Sequence, residues 1–309
     1  MSFSALSVSL WLMPWQFGSL RKGPNTLAAP RPRRDNPRPM RIVVLAALLA
    51  AVPARAQDRP AYRFPPGDTL HYSERTDGRV TIETPNGSAQ VTSEHVATIG
   101  ITRTAGDTAR AWYESLLLRS AGPGAQRKEP DTEGLLRAPF MLSISDRGIV
   151  RLHAFPHMPE SIAEITDLTR QFDDFFITLP ATTLKPGLTW SDTLFSTRPS
   201  RPRDTFSSRH VRSYRVERDT VVAGGPAVII RLDQTLQLDA SSPLEDGVAV
   251  HSTLEGTETG TAIFAPTRGR LVARKRTGSL RGMFRMTSPS GRAEMPQSYD
   301  YTSTLSLAP

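Results

Sequence analysis

Histidine, carboxylate and serine side chains are the groups in this chain that could do chemistry, and their spacing decides what chemistry that would be. Of the six histidines, His153 and His157 stand at a metal-like interval, with Glu160 three residues further on. A zinc site would need both imidazoles on one helical face so that they reach one ion. Pro156 and Pro159 interrupt the segment, so the interval reads as chance spacing in a loop, and neither a metal nor another cofactor is expected. Asp173-Asp174 is a carboxylate pair, but at a helix end it reads as two exposed acids on the polar side. No Gly-x-Ser-x-Gly elbow occurs, and no serine stands in a pattern with a histidine and an acid that spacing could single out. Gly256-x-x-x-Gly260 falls in a β pattern and reads as a place where a strand bends. These residues point away from an enzyme.

The elements that would carry any site are organised around a repeated landmark. Pro66-Gly67-Asp68-Thr69-Leu70 returns as Pro186-Gly187-Leu188-Thr189-Trp190, and Arg147-Gly148-Ile149-Val150 returns as Arg268-Gly269-Arg270-Leu271, at nearly one offset. A third pair, Arg103 to Asp107-Thr108 against Arg215 to Asp219-Thr220, keeps the order at a shorter offset. The chain therefore reads as one unit written twice, with a first repeat over 57–180 and a second over 181–309.

Residues 1–39 carry no folding pattern after Trp15 and read as a non-native extension. Met40-Arg41, the uncharged run Ile42 to Val52 and the small residues Ala54 and Ala56 have the form of a signal peptide over 40–56. Its apolar run is too short for a bilayer-crossing helix, which takes about 20 residues, so cleavage near Ala56 and a periplasmic or secreted protein without a membrane span are expected. Eight of the 38 Lys+Arg residues but one of the 30 acids fall in 1–56, which leaves the rest close to neutral. That removes the reason to expect nucleic acid as a partner. With no cysteine, the fold must be held by its apolar core.

Alternation with period two runs through the remainder. Val91, Ala97, Ile99 and Ile101 share one parity. Trp112, Leu116 and Leu118 share a face on the returning strand, and Phe140, Leu142 and Ile144 lead through Asp146-Arg147-Gly148 to Val150 and Leu152 as a hairpin. Along 226–239, Val228, Ile230, Leu232, Leu236 and Leu238 keep one parity, broken by Gln234. The pattern resumes from Val248 to Leu307. One segment differs: Ile162, Ile165, Leu168, Phe172 and Phe175 have helical spacing, and Ser161 with Glu164 forms a capping pair. The expected fold is mostly β, two tandem antiparallel half-barrel-like repeats joined by one connector helix over 159–176.

Phe64-x-x-Gly67-x-x-x-x-Tyr72, Leu184-x-Pro186-Gly187-x-x-Trp190, the strand pair Tyr214 and Val216, and Phe264 before Arg268-Gly269-Arg270-Leu271 resemble a family of exported bacterial β-rich proteins of unknown function. That family is distantly similar to LolA/LolB-type half-barrels, in which a curved antiparallel sheet encloses an apolar cavity that carries lipid. The resemblance implies a ligand that is apolar or lipid-like, with Trp112, Phe172, Phe176, Trp190 and Phe264 as the residues to line its site. Trp112 and Trp190 are the two indoles outside the leader and are also expected as core. The alternative is a structural or interaction protein of the envelope, with a protein partner and no small ligand.

Overall fold

The computed structural model describes residues 59–308, apart from 66, 123–126, 164, 198–203 and 245–246. The extension, the signal peptide and Glu164 of the capping pair lie outside the described residues. The chain is mostly antiparallel β. Eleven strands, β1 (Thr69–Thr84), β2 (Gly87–Ala105), β3 (Thr108–Ala121), β4 (Phe140–Ile144), β5 (Val150–Ala154), β6 (Thr189–Ser196), β7 (Thr205–Val222), β8 (Gly225–Pro243), β9 (Ala249–Ala265), β10 (Arg270–Ser288) and β11 (Gly291–Leu307), form one sheet. Their order is β5-β4-β3-β2-β1-β11-β10-β9-β8-β7-β6.

Each strand thus lies beside its sequence neighbour except at one place. β5 and β6 are consecutive in sequence yet form opposite margins of an unclosed sheet, and β11 joins the halves by pairing with β1 along Tyr72↔Leu307 to Ile82↔Gln297. β1–β5 before the break and β6–β10 after it lie in the same order, with β11 as an additional strand between them, and Gly148 and Gly269 stand in the β4–β5 and β9–β10 turns. The third landmark does not correspond. Gly106-Asp107 forms the β2–β3 turn, whereas Asp219 and Thr220 are inside β7, opposite Val228 and Ala227.

Alternation sets the two faces of the sheet. In β8, Val228, Ile230, Leu232 and Leu236 are buried on the concave side while Arg231, Thr235 and Gln237 are exposed on the convex side. Parity misleads on β3. Ile99 faces Tyr113 and Thr98 faces Ser115, so Glu114 is an extra residue that reverses the phase. Leu116 and Leu118 therefore point inward with Tyr113. Trp112, expected with them in the core, lies on the convex face under the Arg110 guanidinium, 5.6 Å from the ring. Its ring lies flat on Gly100, where a Cβ would come within 2.5 Å of the indole.

The segment 155–188 must travel from one margin of the sheet to the other, and it does so over the concave face as a strap. The helix expected over 159–176 shrinks to a four-residue α1 (Glu160–Ala163) and a 3-10 turn at Leu168–Arg170. A surface helix needs a wet side to match its apolar stripe. Here Ile162, Ile165, Leu168, Thr169, Arg170, Phe172 and then every residue from Phe175 to Leu179 are buried, so past the exposed Glu160 and Ser161 no continuous wet side runs along 165–179. Asp167, whose carboxylate accepts from the Thr169 amide at 3.0 Å, restarts the chain direction after α1.

The core lies between the strap and one half of the concave face. Phe172, Phe175 and Phe176 pack with Tyr72, Tyr113, Phe140 and Phe264 and with the aliphatic rows of β2, β8 and β9. Residues 61–64 seal that end by running between two hairpin turns, the Tyr62 amide donating to the Asp146 carbonyl at 2.7 Å and the Arg63 amide to the Gly269 carbonyl at 2.9 Å. Gly148 has φ +83°, and a Cβ there would lie 2.3 Å from the Tyr62 ring and 2.7 Å from the Ile177 carbonyl. Gly148→Ala is therefore expected to destabilise the fold by about 2–4 kcal/mol. Gly106→Ala, also at positive φ but in open space, should cost about 1 kcal/mol. Urea unfolding of both variants checks the contrast, and equal costs would show that the sealed end does not press on Gly148.

Candidate functional site

Beyond the apolar core, the strand registers line up one polar row across the concave face. Asp192 lies opposite Arg212, Arg212 opposite Gln234, Gln234 opposite Glu258, Glu258 opposite Gly278, Gly278 opposite Tyr301, Tyr301 opposite Gly78, and Gly78 opposite Ser93. Gln234, the one break in the apolar parity of β8, is thus a member of a row that spans eight strands. A β-sheet brings cross-strand neighbours to about 5 Å, which is why residues up to 223 positions apart in sequence can act as one group. The glycines of the row make room: a Cβ on Gly278 would lie 2.3 Å from the Tyr301 ring.

The strap inserts Asp174 into this row. Its carboxylate accepts from Arg212 Nη1 at 2.8 Å and is paired on its other oxygen with Arg276. Arg212 also grips Asp192 with two hydrogen bonds of 2.6 and 2.7 Å. Arg276 lies 3.6 Å from Glu258, which accepts from the Tyr301 hydroxyl, and Arg274 donates to the backbone carbonyls of Asp174 and Phe175. Burial alone would raise the Asp174 pKa, but Arg276, Arg212 and Arg274 outweigh it and hold the carboxyl well below its ordinary range. The reading of Asp173-Asp174 as two exposed acids is therefore corrected: Asp174 is the ionic tie between strap and sheet.

On the far side of the strap is a cavity of about 240 Å³. Leu194, Phe206, Leu236, Leu254, Leu280 and Tyr299 give it apolar walls. Glu74, His95, Ser196, Ser208 and His210 contribute polar groups, and Arg170, Gln171 and Asp173 of the strap face it. Arg170 is bound to Asp167 at 2.8 Å and lies over the Phe206 ring at 5.3 Å.

Two kinds of group in this cavity titrate in opposite senses. Burial drives the Glu74 carboxyl up to about 7, against the pull of Arg274 and Arg276, and burial drives His95 and His210 down to about 4. For Glu74 the folded value is above the unfolded one, so its contribution is fully present below pH 4.5 and is lost as pH rises to about 7. For the two histidines the contribution is present above 6.5 and is lost as pH falls towards 4.

None of the aromatics expected to line a ligand site borders this cavity. Phe172, Phe176 and Phe264 are in the filled core, and Trp112 is on the convex face. Trp190 stacks on Tyr214 at 5.1 Å and donates from its indole nitrogen to the Thr178 carbonyl at 2.8 Å, which makes it a packing residue at the strap. His153 bonds to Ser143 Oγ at 3.0 Å between β5 and β4. Glu74, His210, Arg212, Glu258 and Arg276 were missed, and one signal could have found some of them: each is a polar residue on the inward parity of its strand, most plainly Glu74 after Tyr72 and Glu258 between Gly256 and Gly260.

No family model matches the chain, and no curated protein matches it. Among solved structures, lipovitellin, determined for its lipid–protein interactions, is similar over 80% of this chain and 26% of its own, at 11% identity and a TM-score of 0.39. The chain thus spans about a quarter of that protein. Neisserial surface protein A matches 77% of this chain and 98% of its own at 8% identity and a TM-score of 0.20. Pseudomonas aeruginosa OccK2 in complex with glucuronate matches 80% and 100% at 8% and 0.21. Likeness at these scores bears no weight on function. The charges on the convex side of β8 are the reverse of the apolar band that a transmembrane β-barrel turns to lipid. No helix among the described residues is long and apolar enough to cross a membrane.

Two outcomes follow from the buried charges. Asp174→Ala leaves Arg212 and Arg276 without their shared partner and should cost about 3–5 kcal/mol. Asp77→Ala, which breaks an exposed pair with Arg75, should stay within about 1 kcal/mol. Urea midpoints of the two variants test this, and similar losses would remove Asp174 from its central role. Glu74→Gln should raise stability at pH 8 by up to about 3 kcal/mol and leave it unchanged at pH 4. Denaturation at both pH values reads the difference, and an equal effect at both would show that the carboxyl titrates normally.

Proposed function

We propose that the protein binds a small amphiphilic or apolar molecule inside the curved sheet, on the far side of the strap. The observation that carries this reading is the 240 Å³ cavity with Leu236, Leu254 and Leu280 packed as one apolar cluster on its wall and uncompensated polar atoms elsewhere. A cavity lined by both kinds of surface suits a small guest with an apolar body and a polar end. The motif resemblance to LolA/LolB-type half-barrels supports the same class of guest. The form of residues 40–56 supports an exported protein that meets this guest in the periplasm or outside the cell. Binding rather than catalysis is proposed because the carboxylates and guanidiniums of the polar row satisfy one another.

The fluorescent probe N-phenyl-1-naphthylamine should bind with stoichiometry near one. Leu254→Trp, which places an indole in the cavity, should abolish the signal while keeping the unfolding midpoint close to wild type. Trp190→Phe should leave binding unchanged, because Trp190 touches the strap and not the cavity. A probe that fails to bind wild type, or that binds Leu254→Trp equally well, would sink the reading.

A further inference from the structure

Resting on that reading, the arrangement of polar atoms narrows the guest's chemistry. Besides Gln171 Nε2 of the strap and Arg276 Nε, five buried polar atoms of residues that line the cavity have no partner among the described residues: Glu74 Oε2, His95 Nε2, Ser196 Oγ, Ser208 Oγ and His210 Nδ1. They fall on two walls. Ser196 lies directly opposite Ser208 across the β6–β7 pair, and His210 is two residues further along β7. Glu74 and His95 come from β1 and β2, towards the other margin of the curled sheet. Residues this deeply buried, with Glu74 at 6%, Ser196 and Ser208 at 4% and His210 at 9% exposure, normally have their hydrogen bonds made, and a buried polar atom without one costs about 1–3 kcal/mol.

The cations that border the cavity are already engaged. Arg276 is held by Asp174 and Glu258, and Arg170 by Asp167. The wall thus offers hydrogen bonds from hydroxyl, imidazole, carboxyl and, at Gln171, amide groups, both guanidiniums are ion-paired, and carboxylates outnumber guanidiniums. A carboxylate or phosphate head would enter against that field.

We propose that the guest is an amphiphile with an uncharged, hydroxyl-bearing head, such as a monoacylglycerol or an alkyl glycoside. The head bonds to Ser196, Ser208 and His210 on one wall and to Glu74 and His95 on the other. The chain runs along Leu236, Leu254 and Leu280, the last two 4% and 1% exposed. Two walls of donors and acceptors around a head with several hydroxyls explain why the polar atoms are not gathered at one point.

The test is a displacement titration at pH 8 with N-phenyl-1-naphthylamine as reporter and four competitors of one chain length, each below its micelle concentration: monolauroylglycerol, dodecyl maltoside, laurate and dodecyltrimethylammonium. The expected result is that a neutral competitor displaces the probe and that laurate is at least about tenfold weaker. Ser196→Ala/Ser208→Ala should weaken the neutral competitor about tenfold while probe binding itself stays at the wild-type level, which also reports that the variant is folded. Should that variant fail to fold, His210→Phe is read in the same way. Laurate or the ammonium competing as well as the neutral amphiphiles would overturn the head assignment and leave the binding reading standing. Neutral affinity unchanged in the serine variant would do the same. If the probe binds and no competitor displaces it, the amphiphile class is wrong, and if the probe itself does not bind, the binding reading falls first.

Discussion

An irregular chain segment carried into the interior has to find partners for its backbone carbonyls, and in this protein the segment is the strap from 174 to 179. A helix would have satisfied those groups internally. Without one, five of these carbonyls are met by side chains from elsewhere in the fold: Asp174 and Phe175 by Arg274, Ile177 by the Tyr62 hydroxyl at 3.0 Å, Thr178 by the Trp190 indole and Leu179 by Arg147 Nε at 2.8 Å. Several otherwise unrelated residues of the fold share this one duty. Arg147 belongs to the β4–β5 turn, Trp190 to the margin strand β6, Arg274 to β10 and Tyr62 to the N-terminal run, so the strap is stitched to every part of the sheet that surrounds it.

The polar row follows from the same requirement on the side-chain level. Once Asp174 is carried into the interior, it must meet cations, and Arg212 and Arg276 must in turn be neutralised by Asp192 and Glu258. Such a cluster separates the concave face into two regions. On one side the strap fills the space with aromatic side chains and leaves a packed core. On the other, the long strands continue past the strap with leucine and tyrosine on their inner face, and nothing in the described chain fills the space completely. A cavity results from the mismatch between strands of up to 19 residues and a strap that covers half their length.

Curvature of the sheet keeps both regions on the inside. The extra residues Glu114 on β3, Glu217 on β7 and Val272 on β10 disturb the registers at one end of the molecule, and such bulges increase local twist. At Gly256 and Gly260 a Cβ would lie 2.1 and 2.2 Å from carbonyl oxygens of β10. The interval is thus a close approach of two strands in regular register.

The strands themselves were legible in the sequence. Inward parity in 90–103, 140–152 and 226–239, the glycine of the 145–148 turn and the absence of cysteine all follow from local patterning, which is a property of neighbours along one chain. Even the polar row left a trace in Gln234, a single inward residue of the wrong kind. What only the tertiary structure decided was where the segments meet. The spacing of Ile162, Ile165, Leu168 and Phe172 is compatible with a helix, but from Leu168 to Leu179 no residue is exposed and the segment must reach from β5 to β6, so the helix gives way. Parity placed Trp112 inside, and one bulge residue that no periodicity announces moved it out. Asp174 looked like a surface acid because its partners, Arg212 and Arg276, stand 38 and 102 residues away. Local spacing cannot encode contacts at such separations; the register of eleven strands does.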